Sequence, residues 1–179
     1  MRRIALTGTP GTGKTSVARL VGHGWAIEEV ADVARQAGAA RVRGAGVEVD
    51  LDRLVRGLRA SPRDRADIVV GHLSHLLPIR DVIVLRCHPR ELRDRLARGR
   101  PRQANDTREN LLAEATDVIL FEALDLRRRV WEIDTTGHRP AEVAEAVAQR
   151  VRRRGPPSYG RIDWLSDPWV TEHLLDWSR

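Results

Sequence analysis

Residues 8–15 have the sequence Gly-Thr-Pro-Gly-Thr-Gly-Lys-Thr and fit the pattern G-x-x-x-x-G-K-[ST], in which a glycine-rich loop wraps around phosphate groups. The segment follows a short apolar run at residues 3–7, which predicts a buried strand, and a helical pattern continues through residues 15–21. A strand, a glycine-rich loop and a helix in this order are the context that such a motif requires. The sequence therefore predicts a P-loop at the end of the first strand.

Lys14 is the only lysine of the chain, and every other basic residue, out of 31 lysines and arginines in all, is arginine. An arginine side chain ends in a broad planar fork, whereas lysine is a compact charge on a flexible stem. A lysine can therefore reach between the β- and γ-phosphates of a nucleotide. Its single use at this position indicates that the chain binds a nucleoside triphosphate.

The length and the charge of the chain limit its class. A chain of 179 residues is long enough for one α/β domain with a small lid or tail. The net charge of +6 and the sequence pI of about 10.9 have two interpretations, a general bias toward arginine or the binding of phosphate-rich partners, either nucleotide alone or nucleotide and RNA. Composition alone leaves both open.

Cysteine usage and hydropathy point to the inside of the cell. Cys87 is the only cysteine, so the chain cannot form an internal disulfide. The apolar run near the N-terminus ends at Gly8, too early for a signal peptide, and no segment approaches 18 apolar residues. We expect a cytoplasmic protein without contact to a membrane.

Strand and helix patterns alternate along the chain. This alternation predicts a mostly parallel sheet with helices on both faces and ligands at the carboxyl ends of the strands. The connection at residues 38–46 is small and polar and predicts a mobile segment, and residues 98–105 predict an exposed arginine-rich loop. The predicted strands are 3–7, 25–27, 67–71, 81–86 and 130–134, and the predicted helices are 15–21, 29–36, 50–58, 89–97, 106–126 and one that begins at Pro140.

Five segments, taken in order, resemble the archaeal–eukaryotic adenylate kinase family, whose eukaryotic members act in the nucleus and in maturation of the small ribosomal subunit. Each segment beyond the P-loop is a weak signal alone, but five in the same order are specific. The resemblance covers about residues 3–150. The segments are residues 6–15, 46–52, 71–78, 84–89 and 131–137.

The resemblance implies a P-loop nucleoside monophosphate kinase fold with a five-stranded parallel sheet. It also implies an AMP-binding segment at about residues 29–58 and a short lid at about 98–107, within a kinase domain that spans residues 1–151. The implied reaction is ATP + AMP = 2 ADP with Mg²⁺, together with ATPase activity. The remaining residues, 152–179, form a tail that is rich first in arginine and proline and then in tryptophan.

The P-loop residues supply the candidate nucleotide and metal contacts. Gly11 and Gly13 let the backbone wrap closely around phosphate oxygens, and Lys14 neutralises their charge. The Thr15 hydroxyl is the predicted Mg²⁺ ligand, and Ser16 offers a second hydroxyl. The predicted nucleotide-binding residues are Gly11, Thr12, Gly13, Lys14, Thr15, Ser16 and Arg98.

Two arginines outside the P-loop fall where the family places phosphate ligands. Arg35 matches an arginine on the AMP phosphate, a role that suits a planar fork. Arg98, with Arg100 or Arg102 as alternatives, lies at the start of the lid, where it would neutralise transition-state charge and help to exclude water. For both positions the alternative is a solvent-exposed arginine without a ligand.

His72 matches the family's histidine at the end of the third strand in chain order. The resemblance implies a catalytic role near the γ-phosphate, where it would orient a water molecule or the acceptor. His75 is interpreted as structural. The family has Asp or Glu two residues before the histidine, where this chain has Val70, so the carboxylate that supports Mg²⁺ is missing. Two alternatives follow: Mg²⁺ is held by Thr15, the phosphates and water alone, or another carboxylate helps, for which Asp67 and Asp134 are unranked candidates.

The tail has a helical pattern that begins at Asp167-Pro168 and carries Trp169, Val170 and Trp177 along one side. We expect this apolar side to dock onto the kinase domain, and the alternative is a surface that binds a partner. Three functions remain open: an adenylate kinase acting on AMP and ADP, an ATPase that assembles the small ribosomal subunit with a ribosomal protein and rRNA, and a kinase for another metabolite. We expect a monomer.

Overall fold

The computed structural model of the chain describes residues 3–21, 24–43, 46–60, 67–99, 104–153 and 155–177. At its centre lies a five-stranded parallel sheet in the order β2-β5-β1-β6-β7. The sheet agrees with the sequence prediction, apart from a shift of two residues in the second strand. The strands of this sheet are β1 (Ile4–Thr7), β2 (Ile27–Glu29), β5 (Ile68–Val70), β6 (Asp81–Arg86) and β7 (Arg129–Asp134).

The strands alternate their side chains between two apolar layers. In β1, Ile4 and Leu6 face one layer and Ala5 faces the other, because successive side chains of a strand point to opposite faces. All six residues of β6 are buried, as expected for a parallel strand with helices on both faces.

Helices cover both faces of the sheet. α1 and α7 pack on the face that carries Leu6, and α2, α3 and α6 pack on the face that carries Ala5. The helix predicted to begin at Pro140 is confirmed as α7, whose residues Val143, Val147 and Val151 are all buried. The helices are α1 (Lys14–Val21), α2 (Val30–Gln36), α3 (Leu51–Ala60), α4 (Pro89–Arg98), α5 (Ala104–Ala115), α6 (Val118–Asp125), α7 (Pro140–Arg153) and α8 (Pro168–Trp177).

The prediction of a mobile connection at residues 38–46 is wrong for the part that the structure describes. β3 (Ala40–Arg43) pairs antiparallel with β4 (Gly46–Val49), with Ala40 opposite Val49. The glycines around this segment suggested a loop, although the alternating valines within it favour strands. Residues 100–103 of the predicted lid lie outside the described residues.

The single helix predicted over residues 106–126 is also wrong, because the chain breaks between α5 and α6. Asp117 adopts a left-handed conformation with φ of 59°, which interrupts the helix between α5 and α6. Its carboxylate accepts a hydrogen bond from the buried Arg86 guanidinium. A contact with a distant strand therefore overrides a local pattern that favoured one continuous helix.

The tail docks onto the domain, as expected. Val170 and Trp177 of α8 are buried against α4 and α5 in a third apolar cluster that includes Cys87. The Asp167 side chain accepts from the Trp169 N–H at 2.8 Å and caps α8. The tail also pairs with the sheet edge through a bridge between Trp131 and Ser158. Within the described ranges, no helix is long and apolar enough to span a membrane.

We predict that Trp177→Ala lowers the free energy of unfolding by roughly 3 kcal/mol, because the truncation leaves a cavity between α8 and the domain. The matched control is Leu175→Ala on the same helix, whose side chain is mostly exposed and whose loss should change stability by no more than about 0.5 kcal/mol. Urea unfolding measures both. If both variants lowered the free energy of unfolding by the same small amount, docking of α8 would be contradicted.

Candidate active site

The P-loop connects β1 to α1 at the carboxyl edge of the sheet. The loop is closed by hydrogen bonds from the Thr12 N–H at 3.2 Å and the Thr12 hydroxyl at 2.9 Å, both to the Thr9 carbonyl. Gly11 and Gly13 have φ of 97° and 94°, in the left-handed region that disfavours other residues. Such a conformation turns successive N–H groups toward a common centre and forms an anion site, reinforced by the N-terminus of α1.

Neighbouring elements hold this loop tightly. A Cβ atom at Gly8 would lie 2.4 Å from the Leu85 carbonyl oxygen, and one at Gly11 would lie 2.7 Å from Leu92 Cδ1. The loop is thus packed against β6 and α4, and these glycines are required by close approach as well as by conformation.

Lys14 lies across the loop. Its ammonium group donates to the carbonyls of Gly8 at 2.7 Å and Thr9 at 3.0 Å. These contacts hold the positive charge beside the anion site. Thr15 and Ser16, in the first turn of α1, line the same cavity, and their hydroxyls are oxygen donors of the kind that Mg²⁺ prefers.

Two cavities meet at the P-loop. The larger, of about 920 Å³, extends toward the ends of β2 and β5, α6 and the start of α5. The smaller, of about 500 Å³, lies on the other side, between α4 and the loop that follows β7. Gly11, Gly13 and Ser16 line both cavities, so one phosphate loop serves two adjoining spaces.

The two histidines after β5 differ in their surroundings. His72 is exposed and lines the larger cavity, and its catalytic role near the γ-phosphate stays a prediction. His75 is buried, and its ring nitrogens contact the Thr7 hydroxyl at 3.0 Å and the Glu122 carboxylate at 2.8 Å. Burial lowers the pKa of His75 despite the nearby Glu122, which favours the neutral ring at neutral pH. The tautomer that satisfies both contacts carries its proton on Nε2.

The predicted arginines lie outside both cavities. Arg35 is on the exposed side of α2 and pairs with Asp32, and Arg98 is exposed at the end of α4, where it donates to the Asp94 carbonyl at 3.1 Å. The alternatives Arg100 and Arg102 lie outside the described residues. The structure therefore does not bring these arginines to the P-loop, and their phosphate roles stay predictions.

The alternative carboxylates for Mg²⁺ also lie elsewhere. Asp67 precedes β5 at its amino end, away from the P-loop, and accepts from the Ala26 N–H. Asp134 ends the edge strand β7 and accepts from the Thr136 N–H and hydroxyl. Neither residue lines either cavity.

Sequence reasoning missed Glu114, a buried carboxylate on α5. It accepts from the Thr9 hydroxyl of the P-loop at 2.5 Å, from Arg86 Nε at 2.9 Å and from the Cys87 N–H at 3.0 Å. Trp164 of the tail donates to the same carboxylate at 3.2 Å. No local signal marks Glu114, because its partners are 27 to 105 residues away in the chain.

Arg95 was also missed. It lies on α4 at the smaller cavity, where it donates to the Thr135 carbonyl at 2.6 Å and to Glu91 at 2.6 Å. One of its terminal nitrogens is 4.0 Å from the position that a Cβ atom of Gly13 would occupy. Arg95 is thus an arginine that the structure holds close to the phosphate loop.

This parallel sheet with its phosphate loop and flanking helices defines the chain as a P-loop protein of the nucleoside monophosphate kinase fold. Residues 4–117 match the family model described as "AAA domain". The chain is 39% identical over 163 residues to a protein of Pyrococcus abyssi named "Putative adenylate kinase", with 90% of each chain covered. It is 45% identical over 172 residues to the protein of that name in Archaeoglobus fulgidus, with 92% of each chain covered.

The chain therefore belongs to this family of P-loop proteins, and its class is that of a nucleotide kinase. Among solved structures, the tunicamycin resistance protein of Deinococcus radiodurans superposes with a TM-score of 0.50 at 18% identity. The superposition covers 84% of this chain and 96% of that protein. At this low identity the likeness concerns the fold alone.

We predict that the stability of the protein falls as the pH is lowered through the range below about 6.5, the ordinary pKa of histidine. Because the pKa of His75 is lowered in the folded state, the unfolded state binds more protons in this range, and acid favours unfolding. In His75→Gln this part of the pH dependence should be weaker. Thermal unfolding between about pH 8 and pH 5 measures the effect. If stability depended on pH equally in the unmodified protein and in His75→Gln, a neutral, buried His75 would be contradicted.

Proposed function

We propose that the protein is an adenylate kinase that transfers the γ-phosphoryl group of ATP to AMP with Mg²⁺. The observation that carries the proposal is the pair of cavities that share Gly11, Gly13 and Ser16. A kinase of this class must hold a donor and an acceptor with their phosphates close together, and two spaces on either side of one phosphate loop suit that need.

The smaller cavity suits the base and ribose of the donor nucleotide, and the larger one suits the acceptor. This assignment is supported by Arg95 and the loop after β7, which enclose the smaller space beside the P-loop. The larger space is lined by apolar side chains such as Leu73 and Ile119 and by exposed polar groups, as expected for a site that binds a nucleoside monophosphate.

The residues of the chain act by positioning and by charge. The P-loop N–H groups and Lys14 would hold the donor phosphates and offset the charge that shifts toward the leaving oxygen. His72 lies at the acceptor side, where it would orient the acceptor phosphate or, in its absence, a water molecule, which would give ATPase activity. Mg²⁺, held by Thr15 and the phosphates, would supply further charge neutralisation.

A P-loop does not identify the acceptor, and the choice of AMP is supported by the names of the relatives and by the sequence resemblance. A screen of all nucleoside monophosphates with Mg-ATP, with an ATP-only control, tests it. ADP formation that is strongest with AMP supports adenylate kinase, whereas equal ADP formation with and without AMP would overturn it in favour of an ATPase. A nucleotide-dependent ribosomal partner stays a prediction of the sequence resemblance.

We predict that Lys14→Ala lowers the rate of ADP formation by at least about 100-fold, because the loop loses its only side-chain cation. Arg19→Ala is the matched control, since Arg19 is an exposed cation in the last turn of the same helix and lines neither cavity. A coupled assay of ADP measures both. Turnover that persists in Lys14→Ala would exclude the P-loop as the catalytic site.

We predict that Arg35→Ala raises KM for AMP by roughly 10-fold, with a much smaller effect on KM for ATP, because the predicted partner of Arg35 is the acceptor phosphate. Initial rates with each nucleotide varied in turn measure both constants. An equal change in the two KM values, or no change, would leave Arg35 as an ordinary surface residue paired with Asp32.

A further inference from the structure

Strand β5 ends beside the P-loop without a carboxylate. Its last residue, Val70, is only 3% exposed and packs with Leu6 and with Val17 of α1 on the α1 face of the sheet. A side chain at this position therefore lies on the α1 face of the sheet. Because the position is apolar, any carboxylate that supports Mg²⁺ comes from another element.

The neighbouring strand β2 ends in Glu29, which is directly opposite Val70 in the parallel register. Ile27, two residues earlier, packs against the same α1-side cluster as Val70. Since side chains alternate along a strand, Glu29 emerges on the α1 face as well. The sheet thus places a carboxylate one strand away from the position that lacks one.

The ends of the two strands lie close together. A Cβ atom at Gly71 would lie 2.8 Å from Val30 Cγ2, so only a glycine fits between the end of β5 and the start of α2. Glu29 is exposed and lines the larger cavity together with Thr15 and Ser16. A carboxylate and two hydroxyls that line one cavity match the oxygen donors that Mg²⁺ prefers.

Two of the carboxylates nearby already have partners. Glu122 accepts a hydrogen bond from His75, and Glu114 binds Arg86 and Thr9. Within the described part of the chain, the structure gives the Glu29 carboxylate no hydrogen bond or ion pair. Asp106 and Glu109 line the same cavity but come from α5, whereas Glu29 ends the strand that pairs with β5.

We propose that Glu29 supplies the carboxylate that supports Mg²⁺ at the nucleotide phosphates, in place of the acidic residue absent from β5. This inference rests on the proposed function, since it requires a bound nucleoside triphosphate. Glu29 would act by binding the ion directly or through a water molecule, together with Thr15.

The experiment measures binding of Mn²⁺, used as a spectroscopic probe for Mg²⁺, to the complex of the protein with a non-hydrolysable ATP analogue. Glu29→Gln should weaken Mn²⁺ binding by about 10-fold and leave the affinity for the metal-free analogue within about 2-fold. The matched control is Glu28→Gln, which makes the same change of charge on the same strand but lies outside the cavity lining. It should bind Mn²⁺ as the unmodified protein does.

Adding Val70→Asp to the Glu29→Gln protein moves the carboxylate to the adjacent strand and should restore most of the Mn²⁺ affinity. If the double variant does not fold, the comparison of Glu29→Gln with Glu28→Gln still decides the question. Unchanged Mn²⁺ affinity in Glu29→Gln, or a loss that appears only in Asp106→Asn or Glu109→Gln, would overturn the inference. Failure of the unmodified protein to bind the analogue at all would instead contradict the proposed function.

Discussion

The buried ion pair between Arg86 and Glu114 is the interaction on which the rest of the structure depends. Both residues are 2% exposed. Burial disfavours the charged form of Arg86, but the surrounding carboxylates outweigh this effect and raise the pKa of its guanidinium above the ordinary value. A buried charge is tolerated only when its partners are in place, and removal of one partner typically costs about 3–5 kcal/mol.

The partners of this pair come from distant parts of the chain. Glu114 binds Thr9 of the P-loop and Trp164 of the tail, and Arg86 binds Glu132 of β7 at 2.5 Å. The second oxygen of Glu132 accepts from the Gly160 N–H of the tail at 2.6 Å. The tail therefore completes a polar network that reaches the phosphate loop, although it lies far from that loop in sequence. The same network explains the helix break at Asp117, whose carboxylate is a further partner of Arg86.

The location of the candidate site follows from the order of the strands. In a parallel sheet the carboxyl ends lie along one edge, and a crevice opens where the strand order reverses. β1 lies between β5 and β6, so its P-loop has the end of β5 on one side and the end of β6 on the other. This position accounts for the two cavities. The ends of neighbouring strands also lie side by side, so either strand can contribute a side chain at the same place. The proposal for Glu29 rests on this arrangement.

Most of the sheet and the phosphate loop were determined by the sequence itself, because their signals are local. The glycine spacing around Lys14, the continuous apolar run of β6 and the phase of α7 depend on residues that are close together in the chain. The pairing of β3 with β4, the break at Asp117 and the contacts of Glu114 were decided only by the tertiary structure. The register of Glu29 with Val70 was decided in the same way, since the two residues lie far apart in sequence and meet only because β2 pairs with β5. Burial, strand order and the pairing of buried charges join residues that no local pattern connects.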